Sequence, residues 1–297
     1  MSAGVVAFTG FTLRCPQPEQ AVDFCAALGV DASLENGTVV ARFGPDASHG
    51  IRFEPAMHKR LSRISFSCRP DDISEFGGEA QDFSTNPAKL LIDPDGLEIE
   101  IVAVSGCQAP SGGDPVLLPH APLHARMPEA RPLCLSHIAI FVTDLERSLA
   151  FYRDQLGLIL SDRCGDGLAF LHAPHGSGHH VLALAKSGAT GLHHYAMEMG
   201  TIDAIELRAG QTAAAGYSEG WGFGRHVLGS NFFHYIRDPW DSHAELTAGL
   251  DFIPAGTPWT AGNHEPEDSM YLWGPPPPHD FLRNPEHEPP IPMAAAG

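Results

Sequence analysis

The sequence is short of basic residues. Eighteen Lys and Arg stand against 36 Asp and Glu, a formal net charge of −18. A surface so acidic repels nucleic-acid phosphates and anionic lipid headgroups, so neither is an expected partner. It says little about a small substrate, because charge inside a pocket can oppose the global sign. Paired cysteines are also missing. Cys15, Cys25, Cys68, Cys107, Cys134 and Cys164 are scattered and form no C-x-x-C. That pattern fits reduced thiols in a cytosolic protein and no disulfide. The opening MSAGVVAFTGFTLR lacks a basic stretch followed by an apolar one, so no signal peptide is expected. No apolar run approaches membrane-spanning length. The expected location is the cytoplasm.

What is present belongs to a folded protein. The apolar fraction of 43% and charged fraction of 18% exclude a disordered chain. A length of 297 residues suits two domains of ordinary size or one large one. A repeat favours two. FTGFTLRCPQPEQAVDFCAALGV (8–30) parallels CLSHIAIFVTDLERSLAFYRDQLGL (134–158), each reading as strand, polar turn and amphipathic helix. In the second, Leu145, Leu149, Tyr152 and Leu156 share one helical face, with Asp144 at the N-cap position and Gly157 as the stop. Further on, LSRISFSCRPDDI (61–73) parallels LHHYAMEMGTIDAI (192–205), and LLIDPDGLEIEI (90–101) parallels YIRDPWDSHAEL (235–246). The Asp-Pro turn between two strand-like runs predicts a hairpin. Each copy therefore reads β-α-β-β-β. The expected division is a first module over 1–106, a Pro/Gly/Ser-rich linker over 107–132, a second module over 133–253, and a Pro-rich arm over 254–297.

The chemistry-bearing residues gather in the second copy. His137, His172, His175, His179, His180, His193, His194, His226, His234 and His243 all lie there. Three positions fall on strands: His137 in LSHIAIF, His194 in LHHYAMEM and Glu245 in SHAEL. If the sheet curls around a cavity, inward-facing residues of these strands converge. Two neutral imidazoles and a carboxylate form the facial set typical of non-haem Fe(II) oxygenases, with positions left open for a chelating substrate and dioxygen. A structural zinc site would close with a fourth protein ligand. The first copy is an internal control: His137 corresponds to Gly10, His194 to Arg63, Glu245 to Glu100 and Tyr235 to Leu90. Arg63 and Glu100 are expected to form an ion pair there, so the module does not require histidines at these positions.

At these residues the sequence resembles the type I extradiol ring-cleavage dioxygenases of the vicinal oxygen chelate superfamily. LSHIAIFVTDLERSLAFYRDQLGL, GHHVLALA, LHHYAMEM, GRHVLGSNFFHYIRDPWDSHAE and MYLWGP carry the likeness, which spans nearly the whole chain. It implies an α+β fold of two modules, each made of paired β-α-β-β-β units curling into an open barrel, the C-terminal one carrying the metal. It implies metal ligands at His137, His194 and Glu245, an acid/base histidine at His180, a second pocket histidine at His226 and a pocket tyrosine at Tyr235. It also implies Fe(II), with Mn(II) second, and cleavage of a catechol-type substrate by dioxygen beside the diol. A homo-oligomer is the family's common state.

His234 stands before Tyr235 where the family has an apolar residue. Asp241 stands where Gly is usual, and His243 is an unusual neighbour for Glu245. Two adjacent pairs need a decision. Strand alternation puts His193 and His194 on opposite faces, with His194 the ligand, and puts His179 on the face opposite His180. His172, His175, His234 and His243 are assigned structural or surface places. Two other functions compete: a glyoxalase-like metal isomerase, which would favour additional Glu or Gln ligands, and a metal-free binding protein of the bleomycin-resistance type, which would lack the three ligands.

Overall fold

The structure is a computed structural model that describes residues 3–44, 49–83, 86–105 and 130–287. Most of the expected linker, with Cys107, and the last ten residues of the arm lie outside the described residues.

The first half of the chain is one eight-stranded sheet built from two similar units. The first unit is β1 (Val5–Cys15), α1 (Gln20–Ala27), β2 (Asp31–Glu35), β3 (Thr38–Phe43) and β4 (His49–Pro55). The second is β5 (Arg60–Cys68), a 3-10 turn over Pro70–Glu75, β6 (Glu79–Phe83), β7 (Asn86–Ile92) and β8 (Glu98–Ala103). The strand order is β2-β3-β4-β1-β5-β8-β7-β6. Each unit closes on a parallel pair, β1 with β4 and β5 with β8. The units join through antiparallel β1 and β5.

The second half repeats the plan. Its strands are β9 (Cys134–Val142), β10 (Ile159–Cys164), β11 (Leu168–His172), β12 (Ser177–Gly178), β13 (Leu182–Lys186), β14 (Gly191–Glu198), β15 (Gly220–Arg225), β16 (Phe232–Arg237) and β17 (His243–Ala248). Its helices are α2 (Leu145–Leu156) and α3 (Ile202–Ala214), and β18 (Phe252–Ile253) and β19 (Gly262–His264) follow. The sheet order is β15-β16-β17-β14-β9-β13-β11-β10-β19. Each copy thus holds a pair of β-α-β-β-β units, as the family resemblance implied, where the residue patterns alone suggested one. The second unit was hidden in the first copy because only a 3-10 turn beginning at Pro70 stands where the second copy has α3.

Local sequence explains the elements. The Asp144 carboxylate accepts a bond from Arg147 N–H at 3.1 Å and caps α2. Gly157 ends the helix at φ +70°, a conformation glycine adopts without strain. Leu145, Leu149, Tyr152 and Leu156 are all buried, and such side chains contribute about 1.5–3 kcal/mol each. The two Asp-Pro hairpins share one wiring scheme. Asp93 Oδ1 accepts from Asp95 and Leu97 N–H, and Asp238 Oδ1 accepts from Trp240 and Ser242 N–H. Asp241, in the usual Gly place, takes φ +66° where Gly96 takes +85°, so the hairpin keeps its shape. Asp tolerates this left-handed region better than most residues.

The two halves pack through buried aromatic contacts, Phe11 on Tyr195 at 5.0 Å and Phe53 on Trp240 at 5.1 Å between ring centres. Each hairpin turn is also held by the other half. Tyr152 OH donates to Asp93 Oδ2 at 3.0 Å, and Trp240 Nε1 donates to Pro16 O at 2.7 Å. The arm adds a clip. Glu286 accepts from Leu61 N–H at 2.9 Å and from Leu192 N–H at 2.8 Å, equivalent positions of β5 and β14. Cys15, Cys25, Cys134 and Cys164 are free thiols.

Candidate metal centre

Strands β9, β14 and β17 lie side by side at the middle of the second sheet. His194 on β14 pairs with Ala139 on β9 and with His243 on β17. Two residues along each neighbour in the same direction, a step that keeps the face, stand His137 and Glu245. The three side chains therefore meet. His137 Nε2 lies 3.0 Å from Glu245 Oε2, and His194 Nε2 lies 3.4 Å from the same oxygen. One candidate ligand atom from each residue falls within 4.8 Å of the others, and all three residues are buried. No other His, Cys, Asp or Glu among the described residues joins them.

This donor set fits a divalent cation. His194 Nε2 is buried without a hydrogen-bond partner, an arrangement that costs free energy unless a ligand satisfies it. Burial pushes His194 well below the ordinary imidazole range, and the neighbouring imidazoles add to the effect, so its ring is neutral and carries a free lone pair. Burial alone would push Glu245 up. His137 beside it, by charge and hydrogen bond, outweighs this and holds the carboxyl below its ordinary range. Asn231, which sequence reading missed, supports Glu245 from behind by donating to Oε1 at 3.0 Å. Ser136 Oγ, likewise missed, contacts His137 Nδ1 at 3.3 Å and leaves Nε2 for the ion.

The position of His193 corrects the alternation argument. β14 pairs Leu192 with Ile140 and His194 with Ala139, so His193 is an extra residue in a β-bulge. A bulge resets alternation and re-aims a side chain. His193 lies beside His194 instead of opposite it, with ring centres 4.9 Å apart and Nδ1 atoms 2.6 Å apart, and it lines the same cavity. Its Nε2 meets the Phe281 carbonyl at 2.9 Å. A carbonyl only accepts, so Nε2 carries the proton, Nδ1 accepts from His194 Nδ1–H, and the His194 lone pair sits on Nε2. His193 is thus the partner that sets the tautomer of the candidate ligand.

The remaining expected residues stand near the three candidate ligands. The His180 ring centre lies 4.1 Å from that of His137, tilted to it, and 5.0 Å from that of Phe170, edge to face, and burial pushes its pKa well below the usual range. His226 Nδ1 donates to Met270 O at 2.6 Å, and its Nε2 accepts from Tyr235 OH at 2.9 Å. Burial and the nearby Glu245 push Tyr235 well above its ordinary range, so its hydroxyl keeps its proton. All three face one cavity of about 660 Å³, counting open solvent at its mouth, whose walls include Leu168, Phe170, Leu228, Met270 and Phe281. Phe281 comes from the arm, and no motif marked it. His179 is not among the cavity's lining residues, and its ring is bonded to His180, with Nδ1 atoms 3.1 Å apart. Residues 179–181 lie between β12 and β13, where strand alternation does not apply.

The other histidines stand away from the three ligands. His172 bonds Ser161 at 2.7 Å, His175 approaches Asp72 at 3.3 Å, and His234 bonds Glu206 on α3 at 2.7 Å. His243 packs behind the site against His193 and Phe281. In the first half the same sheet positions carry no such set. Arg63 bonds Glu98 at 2.7 Å and Glu100 at 3.3 Å, the expected ion pair with a second carboxylate added.

Comparison with known proteins agrees with this reading. Residues 135–246 match the Glyoxalase/Bleomycin resistance protein/Dioxygenase superfamily. Metapyrocatechase 2 of Cupriavidus necator is 39% identical, over 93% of this chain and 91% of that protein. 2,2',3-Trihydroxybiphenyl dioxygenase of Sphingomonas paucimobilis is 25% identical, over 75% and 80%. Among solved structures, the Mn(II)-bound glyoxalase from Novosphingobium aromaticivorans superposes with a TM-score of 0.76 at 21% identity, covering 92% of this chain and 91% of its own. Homoprotocatechuate 2,3-dioxygenase from Brevibacterium fuscum gives 0.74 at 18%, covering 95% and 92%. At these identities the structural matches speak for the fold, which does not by itself choose the chemistry.

Proposed function

Because the chain belongs to the type I extradiol ring-cleavage dioxygenases of this superfamily, we propose that it opens a catechol-type ring beside its two hydroxyls, using dioxygen. The observation that carries this is the convergence of His137, His194 and Glu245, with both histidines lining an apolar cavity that His180, His226 and Tyr235 also line. The proposed metal is Fe(II), in preference to Mn(II). Bound there, such an ion would act as a Lewis acid that favours the deprotonated catechol and would offer open positions to substrate and dioxygen.

The protein's own groups divide the remaining work. The apolar walls hold a flat ring and exclude water. His180, neutral and within the cavity, is suited to accept a hydroxyl proton from the substrate and return it later in the turnover. The Tyr235 hydroxyl, with His226 Nε2 as its present acceptor, is placed to hydrogen-bond a substrate oxygen instead. A glyoxalase-like site would favour further carboxylate ligands, and none among the described residues joins the three. A cytoplasmic homo-oligomer is part of the proposal. The free thiols of Cys15, Cys25, Cys134 and Cys164 fit that location, and no helix among the described residues is long and apolar enough to cross a membrane.

The test is metal content together with aerobic turnover. The purified protein is expected to hold about one iron per chain, one donor set of three ligands being present. It should consume dioxygen and catechol in equal amounts and release a yellow ring-opened product. Catechol left intact by the iron-loaded protein overturns the reading.

A further inference from the structure

Behind His180 runs a chain of hydrogen bonds that the function proposed above does not use. His180 Nδ1 lies 3.1 Å from His179 Nδ1, and His179 Nε2 lies 2.8 Å from Asp162 Oδ2. The other oxygen, Asp162 Oδ1, accepts from Gly262 N–H at 2.7 Å and meets His264 Nε2 at 3.0 Å. His179 and His180 are buried, and the Asp162 side chain is 13% exposed. Hydrogen bonds from His179, His264 and Gly262 outweigh desolvation and hold the Asp162 carboxyl below its ordinary range, so it is an ionised acceptor.

An ionised carboxylate only accepts, so His179 carries a proton on Nε2. If that is its only proton, the His179 lone pair is on Nδ1, and His180 must donate from Nδ1 across the 3.1 Å contact. The lone pair of His180 is left on Nε2, the nitrogen on the opposite side of the ring from His179. We propose that Asp162 and His179 are positioning residues that hold His180 in the tautomer whose Nε2 is the free base. This rests on the reading of His180 as the acid/base group. The arm takes part, because Gly262 and His264 belong to β19, which pairs in parallel with β10 beside Asp162. A mis-set tautomer leaves a histidine in place with a proton where its lone pair is needed.

The experiment compares wild type with His180→Gln, Asp162→Asn, His179→Leu and His179→Asn, all iron-loaded, with metal content measured on each. Asp162→Asn keeps the shape but offers an N–H, which reverses the chain. His179→Asn places an amide oxygen near the Nδ1 position and restores an acceptor for His180. We expect kcat to fall at least ~10²-fold in His180→Gln and ~10-fold or more in Asp162→Asn and His179→Leu, against a general acid/base contribution of ~10²–10⁴. The catechol KM and iron content should hold, and His179→Asn should recover much of the loss. A filler role for His179 would be met better by Leu than by Asn, so the reverse order overturns the proposal.

A second readout does not use turnover. In the full chain loaded with diamagnetic Zn(II), imidazole ¹⁵N spectra should show His180 protonated on Nδ1 and bare on Nε2, and Asp162→Asn should invert this. A proton on Nε2 in the wild type overturns the proposal. If His180→Gln is near wild type, the acid/base reading itself falls. If His180→Gln is crippled while Asp162→Asn and His179→Leu turn over normally, only the present inference falls.

Discussion

Where the second module has His194 the first has Arg63, and where it has His137 the first has Gly10. The strand registers make these true equivalents: Phe11 pairs with Ile64 and Ile51 as Ile138 pairs with Tyr195 and Leu182. Glu100 and Glu245 are retained in both, each opposite its hairpin partner, Leu90 or Tyr235. One carboxylate at one sheet position thus has two fates. In the first module a guanidinium pairs with it at a sheet position where the carboxylate is 15% exposed. In the second it is fully buried with imidazoles around it, and only a cation or protons can balance it there. The scaffold supplies convergence; the residue types and the depth of burial decide whether that convergence is a site.

Writing the first module into the second should break this difference most severely. His194→Arg is expected to pair with Glu245 as Arg63 pairs with Glu100, abolishing bound iron and ring cleavage while the circular dichroism spectrum stays native. Iron retained at the wild-type level would remove His194 from the ligand set. Tyr235→Leu copies Leu90 and takes away one hydrogen-bond donor. It should keep iron and slow turnover by about 10²-fold, the lower range for losing such a donor. A change confined to KM would make Tyr235 a binding residue only.

The arm offers a subtler test, since Glu286 holds equivalent backbone positions of both modules. Glu286→Ala leaves two buried N–H groups without acceptors, at about 1–3 kcal/mol each. The urea midpoint should drop accordingly. Iron should also be held more weakly, because Leu192 N–H lies at the bulge that sets His193 and His194. Loss of stability with unchanged iron affinity would separate the clip from the site. The smallest effect is expected at Arg63→Leu. Its side chain is 31% exposed, and such pairs contribute about 0–1 kcal/mol. Iron content and kcat should not move; a change in either would show that the first module acts on the metal centre.

Much of this was legible in the sequence, and the particulars show why. The α2 stripe, its Asp144 and Gly157 ends and both Asp-Pro hairpins depend on residues within a few positions of one another. The three candidate ligands could be picked out because the repeat supplied a copy without them. The partners of those residues were not legible. Alternation placed His193 on the wrong face because a bulge suspends the rule, and it gave no sign of the bond between His179 and His180, which lie in a break between strands. Asp162, Asn231, Phe281 and Glu286 reach the site or its supports from positions 17, 14, 88 and 94 residues away from His179, Glu245, His193 and Leu192 respectively, and nothing local marks them.

The sequence by itself determined the module, its repetition, and which copy carries two imidazoles and a carboxylate on strands, since periodicity and residue type are properties of short segments. Only the tertiary structure decided which acceptor stands at each supporting ring, the Phe281 carbonyl at His193 and the Asp162 carboxylate at His179. Such an acceptor is brought there by strand register and by the docking of the arm, which no local preference encodes.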